Sequence, residues 1–148
     1  MVTSSGESLA FLVPQPWTTE AWAKEVDKKV APFLKRSFPA LKTFRILLDG
    51  EQLMHGPAAK AMYKKHGITI LPCWPKYSPA LNPQENVWPW SEKALRKLER
   101  PSDSFEKFQT KVLKAVQAYP KTSAKKLIRS IAKRVRKVIS LKGGMCGK

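Results

Sequence analysis

Cysteine is scarce in this chain: there are two, Cys73 and Cys146, in 148 residues. They have neither metal-ligand spacing nor the pairing of a disulfide framework, so a zinc module and a disulfide-stapled secreted domain are both excluded. Long apolar runs are missing too, and no stretch approaches the length of a membrane span. The first residues lack the basic region and apolar core of a secretory leader. These absences point to a reducing, intracellular setting. The most informative absence is acidic charge. Asp and Glu number 11 against 28 Lys and Arg, a formal charge of +17. After Glu106 every charged residue is basic, from Lys107 to Lys148. Such a field favours polyanions, above all nucleic acid, through phosphate contact and counterion release. A solvated face kept for solubility is the bland alternative, but mixed-sign charge would serve that purpose as well.

The chain length suits one domain with a modest core. Met1–Ser8 is small and polar and is expected to be frayed. Leu9–Val13 is a short apolar run stopped by Pro14 and Pro16, which suits an edge strand. Thr18 and Thr19 are candidate N-caps for a helix to about Ser37, with Trp22, Val26, Val30, Phe33 and Leu34 on one face. Pro32 should kink or shorten that helix. Phe44–Leu48 reads as a buried strand ending at Asp49 and Gly50. Pro57 opens a helix to Lys65, and Gly67 closes it in the left-handed conformation. Ile68–Leu71 is a second buried strand, parallel to the first by the right-handed crossover rule. A proline-rich loop, 72–83, follows.

Asn82-Pro83-Gln84-Glu85 is a helix start: a capping Asn, a proline at the first helical position and an acid in the first turn. Asp103 and Glu106 form another capping-box pattern, opening a helix to about Ala118 with Phe105, Phe108, Val112, Leu113 and Val116 on one side. Thr122 or Ser123 opens the last helix, with Leu127, Ile128, Ile131, Val135, Val138 and Ile139 as its apolar stripe. Lys125, Lys126, Arg129, Lys133, Arg134, Arg136 and Lys137 crowd its other side and are the candidate nucleic-acid-binding residues. Gly143 and Gly144 end it.

Strand, helix, strand and helix in this order define an α/β class. Within it, two acids stand on rigid elements, Asp49 at a strand end and Glu85 in a helical first turn. Taken singly, Asp49 could be a turn residue and Glu85 a cap partner of Asn82. Together with their surroundings they mean more. Asp49-Gly50, with Tyr77-Ser78-Pro79-Ala80-Leu81-Asn82-Pro83-Gln84-Glu85-Asn86-Val87-Trp88, closely resembles the second and third catalytic motifs of the mariner-like DDE transposases. The interval between the two motifs also matches that family.

The resemblance implies a partial RNase H-like domain, a mixed sheet flanked by helices, over residues 9–100. A frayed N-terminus, 1–8, would precede it and a basic helical C-terminal extension, 101–148, would follow. It implies Asp49 and Glu85 as catalytic residues and as ligands of Mg²⁺ or Mn²⁺, since a two-metal site for phosphodiester cleavage needs clustered carboxylates. The ancestral reaction would be DNA strand cleavage followed by transfer of the 3′-OH to a target. The family's third carboxylate, an Asp on an earlier strand, has no counterpart. The acids before Asp49 are Glu7, Glu20, Glu25 and Asp27; the last three fall on the 18–37 helix, and Glu7 is not in the family's first-motif context.

The family's N-terminal helix-turn-helix region has no counterpart either. The chain is therefore expected to represent the latter part of the catalytic domain and to be inactive alone. Pro89 is a further departure, bringing no N–H to the Glu85 carbonyl and predicting a kink there. His55 is expected to be a loop histidine without a metal role. Trp74, Tyr77, Trp88 and Trp90 could stack on bases, but anchoring in the core is the stronger expectation. The competing reading is a non-catalytic, basic DNA- or RNA-binding protein with relic motifs. Nucleic acid, DNA first, is the expected partner; no membrane association is expected, a homo-oligomer is left open, and a eukaryotic chain would act in the nucleus.

Overall fold

The computed structural model describes residues 1–13, 15–48, 50–71, 78, 81–98 and 100–143. The expectations placed on Asp49, Cys73, Trp74, Tyr77 and Cys146 lie outside them. The chain divides into two compact units, one of residues 13–76 and one of residues 1–12 with 77–148.

The unit 13–76 begins with a helical segment whose start is set by Thr18, the side chain of which accepts from the Ala21 amide at 3.1 Å. Three pieces follow without a break: α1 (Thr19–Glu25), a π-helical turn (Val26–Val30) and α2 (Ala31–Ser37). In the wide turn the Ala31 amide reaches back five residues to the Val26 carbonyl. The cause is Pro32, which has no N–H for the carbonyl of Lys28 and whose ring would crowd it in an ordinary α-turn. The expected apolar face is buried throughout: Trp22, Val26, Val30, Phe33 and Leu34 are each at most 7% exposed.

β1 (Phe44–Ile46) pairs in parallel with β2 (Ile68–Ile70), placing Phe44 beside Ile68 and Ile46 beside Ile70. Both strands are shorter than the apolar runs that contain them. Between them lie a 3₁₀ turn (Gln52–His55) and α3 (Pro57–Lys65). Gly67 follows α3 at φ +65, and a Cβ there would sit 2.7 Å from the Lys42 carbonyl oxygen, so only glycine fits this return. A buried polar chain ties α1 to this crossover. The Trp22 indole N–H donates to the Tyr63 hydroxyl at 2.6 Å, and that hydroxyl donates to the Met54 carbonyl at 2.8 Å.

The second unit is helical. Its first residues close on themselves, with Val2 bridging Ser8 and the Leu9 amide donating to the Met1 carbonyl. Gly6 at φ +85 lies against the Lys121 carbonyl, where a side chain would collide. Leu9–Val13, expected as an edge strand, makes no strand pairing. α4 (Gln84–Arg96) packs on α5 (Phe105–Gln117), their buried residues being Val87, Ser91, Ala115 and Val116, while Trp90 meets Tyr119 edge-on at 5.3 Å. α6 (Lys121–Ser140) completes the unit.

Two helix starts differ from expectation. Ser104, not Asp103, caps α5, accepting from the Lys107 amide; Asp103 instead accepts from the Arg100 amide and pairs with Lys111 at 2.6 Å. α6 starts at Lys121 after Pro120, with no side-chain cap from Thr122 or Ser123. No helix among the described residues is long and apolar enough to cross a membrane.

Candidate functional site

Glu85 owes its position to the three residues before it. The Asn82 side-chain oxygen accepts from the Gln84 amide at 3.0 Å, and the Asn86 amide donates to the Pro83 carbonyl. Pro83 presets the helical φ, so α4 starts at a fixed angle. The capping box is only half formed. Asn82 caps, but the Glu85 carboxylate does not reach back to it and is exposed to solvent. Capping therefore does not occupy this carboxylate, and the N-terminal end of the helix favours its negative charge. Pro89 lies one turn on, and the helix runs through it to Arg96.

Asp49 falls in the chain between β1 and the 3₁₀ turn, after Leu48 and before Gly50, outside the described residues. Position 49 belongs to the unit 13–76 and Glu85 to the other unit.

The remaining acids upstream of Asp49 are spoken for by structure, apart from Glu20, which lies exposed in the first turn of α1. Glu25 is buried and pairs with Lys29 at 2.6 Å. Asp27 meets both Lys65 at 2.8 Å and His66 at 2.7 Å, and these two partners hold its carboxyl below the usual range. Glu7 lies 3.8 Å from Lys121. The three-part cluster of Asp27, Lys65 and His66 is invisible to sequence reading, because its members are separated by an entire crossover. His55 ends the 3₁₀ turn, half-buried.

The family-type metal site asks for several carboxylates around a cation. Glu85 offers a hard oxygen donor of the sort Mg²⁺ or Mn²⁺ takes. Among the described residues, however, no three His, Cys, Asp or Glu side chains gather closely enough to hold a metal ion. The described side chains do not by themselves make a two-metal centre.

The aromatic expectations divide. Trp90 is half-buried against Tyr119, as an anchoring role requires. Trp88, expected in the core, is instead 49% exposed, beside the buried Val87 on α4. On α6, Lys125, Lys126, Arg129, Lys133, Arg136 and Lys137 are exposed, and Arg134 is half-buried.

The family model of the DDE superfamily endonucleases matches residues 1–109, and the chain belongs to that family. No curated protein and no solved structure matches it. Endonucleases of this superfamily act on nucleic acid and are in general dependent on divalent metal.

Proposed function

We propose that this chain is a mariner-like, transposase-derived DDE domain of RNase H-like descent that binds nucleic acid and does not cleave it unaided. The observation that carries the reading is the Asn82–Trp88 motif within the family match, which starts a helix and leaves the Glu85 carboxylate uncommitted beside it. Asp49 and Glu85 are the ancestral catalytic and metal-ligand positions, for Mg²⁺ or Mn²⁺. The missing partner is a third carboxylate. Of the acids before residue 49, Glu25 and Asp27 are held in close ion pairs on the first helical segment, Glu7 lies beside Lys121, and Glu20 stands on α1. Lys125, Lys126, Arg129, Lys133, Arg134, Arg136 and Lys137 supply the phosphate-binding surface, which contacts backbone rather than base edges. Such a substrate places the protein inside the cell, in a eukaryote in the nucleus.

The test is nicking of supercoiled plasmid by the purified chain in Mg²⁺ or Mn²⁺, beside Asp49→Ala and Glu85→Ala. The expected result is no cleavage above those controls, with salt-sensitive DNA binding in all three proteins. Cleavage abolished in both variants would show that the chain completes its own metal site. The basic surface of α6 favours one second reading, a binding protein in which the catalytic motifs are relics. In that case Glu85→Ala leaves metal affinity unchanged, while removing the α6 cations weakens DNA binding and flattens its salt dependence.

A further inference from the structure

α6 is buried only in part. Of its 20 residues, only Ala124 and Leu127 are buried, both in its first half. Beyond them Ile128, Ile131, Val135 and Val138 are half-buried, Ile139 is 71% exposed and Leu141, just past the helix, is 45% exposed. At about 100° per residue, Ile128, Ile131, Val135, Val138 and Ile139 share an arc of roughly 100°. Lys125, Lys126, Arg129, Lys133, Arg136 and Lys137 fill the opposite flank, and no acid lies anywhere on the helix.

We propose that α6 from Leu127 to Leu141 is a docking helix for a protein partner, one whose apolar groove is rimmed with Asp and Glu. The spacing of Ile128, Ile131, Val135 and Ile139 is that of anchors a helix lays into a groove. They are β-branched and stiff, so little rotamer freedom is lost on docking. The rim must be acidic, because every charge flanking the stripe is positive. Other occupants satisfy half of the surface each. A second copy of α6 would face like charge with like. Nucleic acid would neutralise the cations but leave Ile139 and Leu141 in water. A bilayer surface suits helices that carry Trp or Phe, and α6 has no aromatic residue. The groove would cover the cations as well as the stripe, so partner and DNA compete for α6.

Calcium-loaded calmodulin, with its acidic rim and Met-rich groove, is the probe. Binding to the full chain is followed by fluorescence anisotropy, beside vesicles of phosphatidylcholine and phosphatidylserine, a DNA duplex, and sedimentation of the chain alone. A one-to-one complex is expected, weakened at least about tenfold by Ile131→Ser with Val135→Ser, with DNA affinity unchanged. Ile139→Ser, at a position too exposed to disturb folding, should weaken the complex less but measurably. The proposal is overturned by the absence of a complex, or by a complex indifferent to all three serines, which would be charge attraction only. Vesicle binding or self-association lost in the same variants, without a calmodulin complex, would also overturn it. DNA binding that fails while the complex persists would remove the nucleic-acid reading and leave this one standing.

Discussion

The two units treat their apolar faces differently. In residues 13–76 the stripe from Trp22 to Leu34 is buried along its whole length, with α3 packed against α1 and the wide turn. In the other unit α5 and α6 carry stripes as regular, yet Phe105 is 72% exposed and Ile139 71%. Periodicity shows that a helix has an apolar face. It does not show that the chain contains the partner for that face. The first unit spends its apolar residues on its own core, and the second keeps part of them on the surface.

The sharpest way to break this comparison is truncation. Phe33→Ala should destabilise the protein by about 3–5 kcal/mol in urea denaturation, since a 4% exposed ring leaves a cavity. Phe105→Ala should change stability by no more than about 0.5 kcal/mol. Equal losses would mean that the second unit is packed as fully as the first. Next in size is the buried polar chain. Tyr63→Phe takes the acceptor from the Trp22 indole and the donor from the Met54 carbonyl, which should cost about 1–3 kcal/mol. Full retention of thermal stability would show that the chain is incidental to the core.

Caps give a smaller contrast. Thr18→Ala should cost about 1 kcal/mol, and Ser104→Ala less, because its bond to the Lys107 amide is 3.4 Å against 3.1 Å for the Thr18 cap. The reverse order would make α5 the more firmly started helix. Smallest is an acid effect with one member in each unit. Asp27 is held below the usual carboxylate range by its hydrogen bonds to Lys65 and His66, and Asp103 by Lys111 and the Arg100 amide. A depressed folded-state value stabilises the fold above the ordinary carboxylate range near about 3.9, and that contribution disappears as pH falls through the folded value. Asp27→Asn and Asp103→Asn should each remove part of the acid sensitivity seen in pH-dependent melting. A variant melting with the wild-type pH profile would show that its ion pair adds nothing.

Local features were the legible ones. The α3 boundaries follow from Pro57 and Gly67, the first helix from Thr18, and the parallel strand pair from two apolar runs flanking one helix. The setting of Glu85 was legible for the same reason, as Asn82 and Pro83 act within one turn. What stayed hidden depended on distant chain. The Asp27 cluster joins residues from two elements, and the exposure of Trp88 is a matter of tertiary packing that its place in the motif does not reveal. Ser104 and Asp103 are both good caps by chemistry, so the choice between them fell to the neighbouring Lys111. The joint role of Asp49 and Glu85 is a long-range matter of this kind, and the motif resemblance, not periodicity, is what links them.

The wide turn at Val26–Val30 also bears on how this helix tolerates changes of length. A π-turn holds one residue more than the α-turn it replaces, while the helical pieces on either side keep a common phase. Deleting the exposed Lys28 would restore regular pitch but press the Pro32 ring against the carbonyl four residues back. Deleting it together with Pro32→Ala removes that clash and leaves Trp22 and Phe33 facing the same core. The surplus residue and the proline are thus a compensating pair, each a liability without the other.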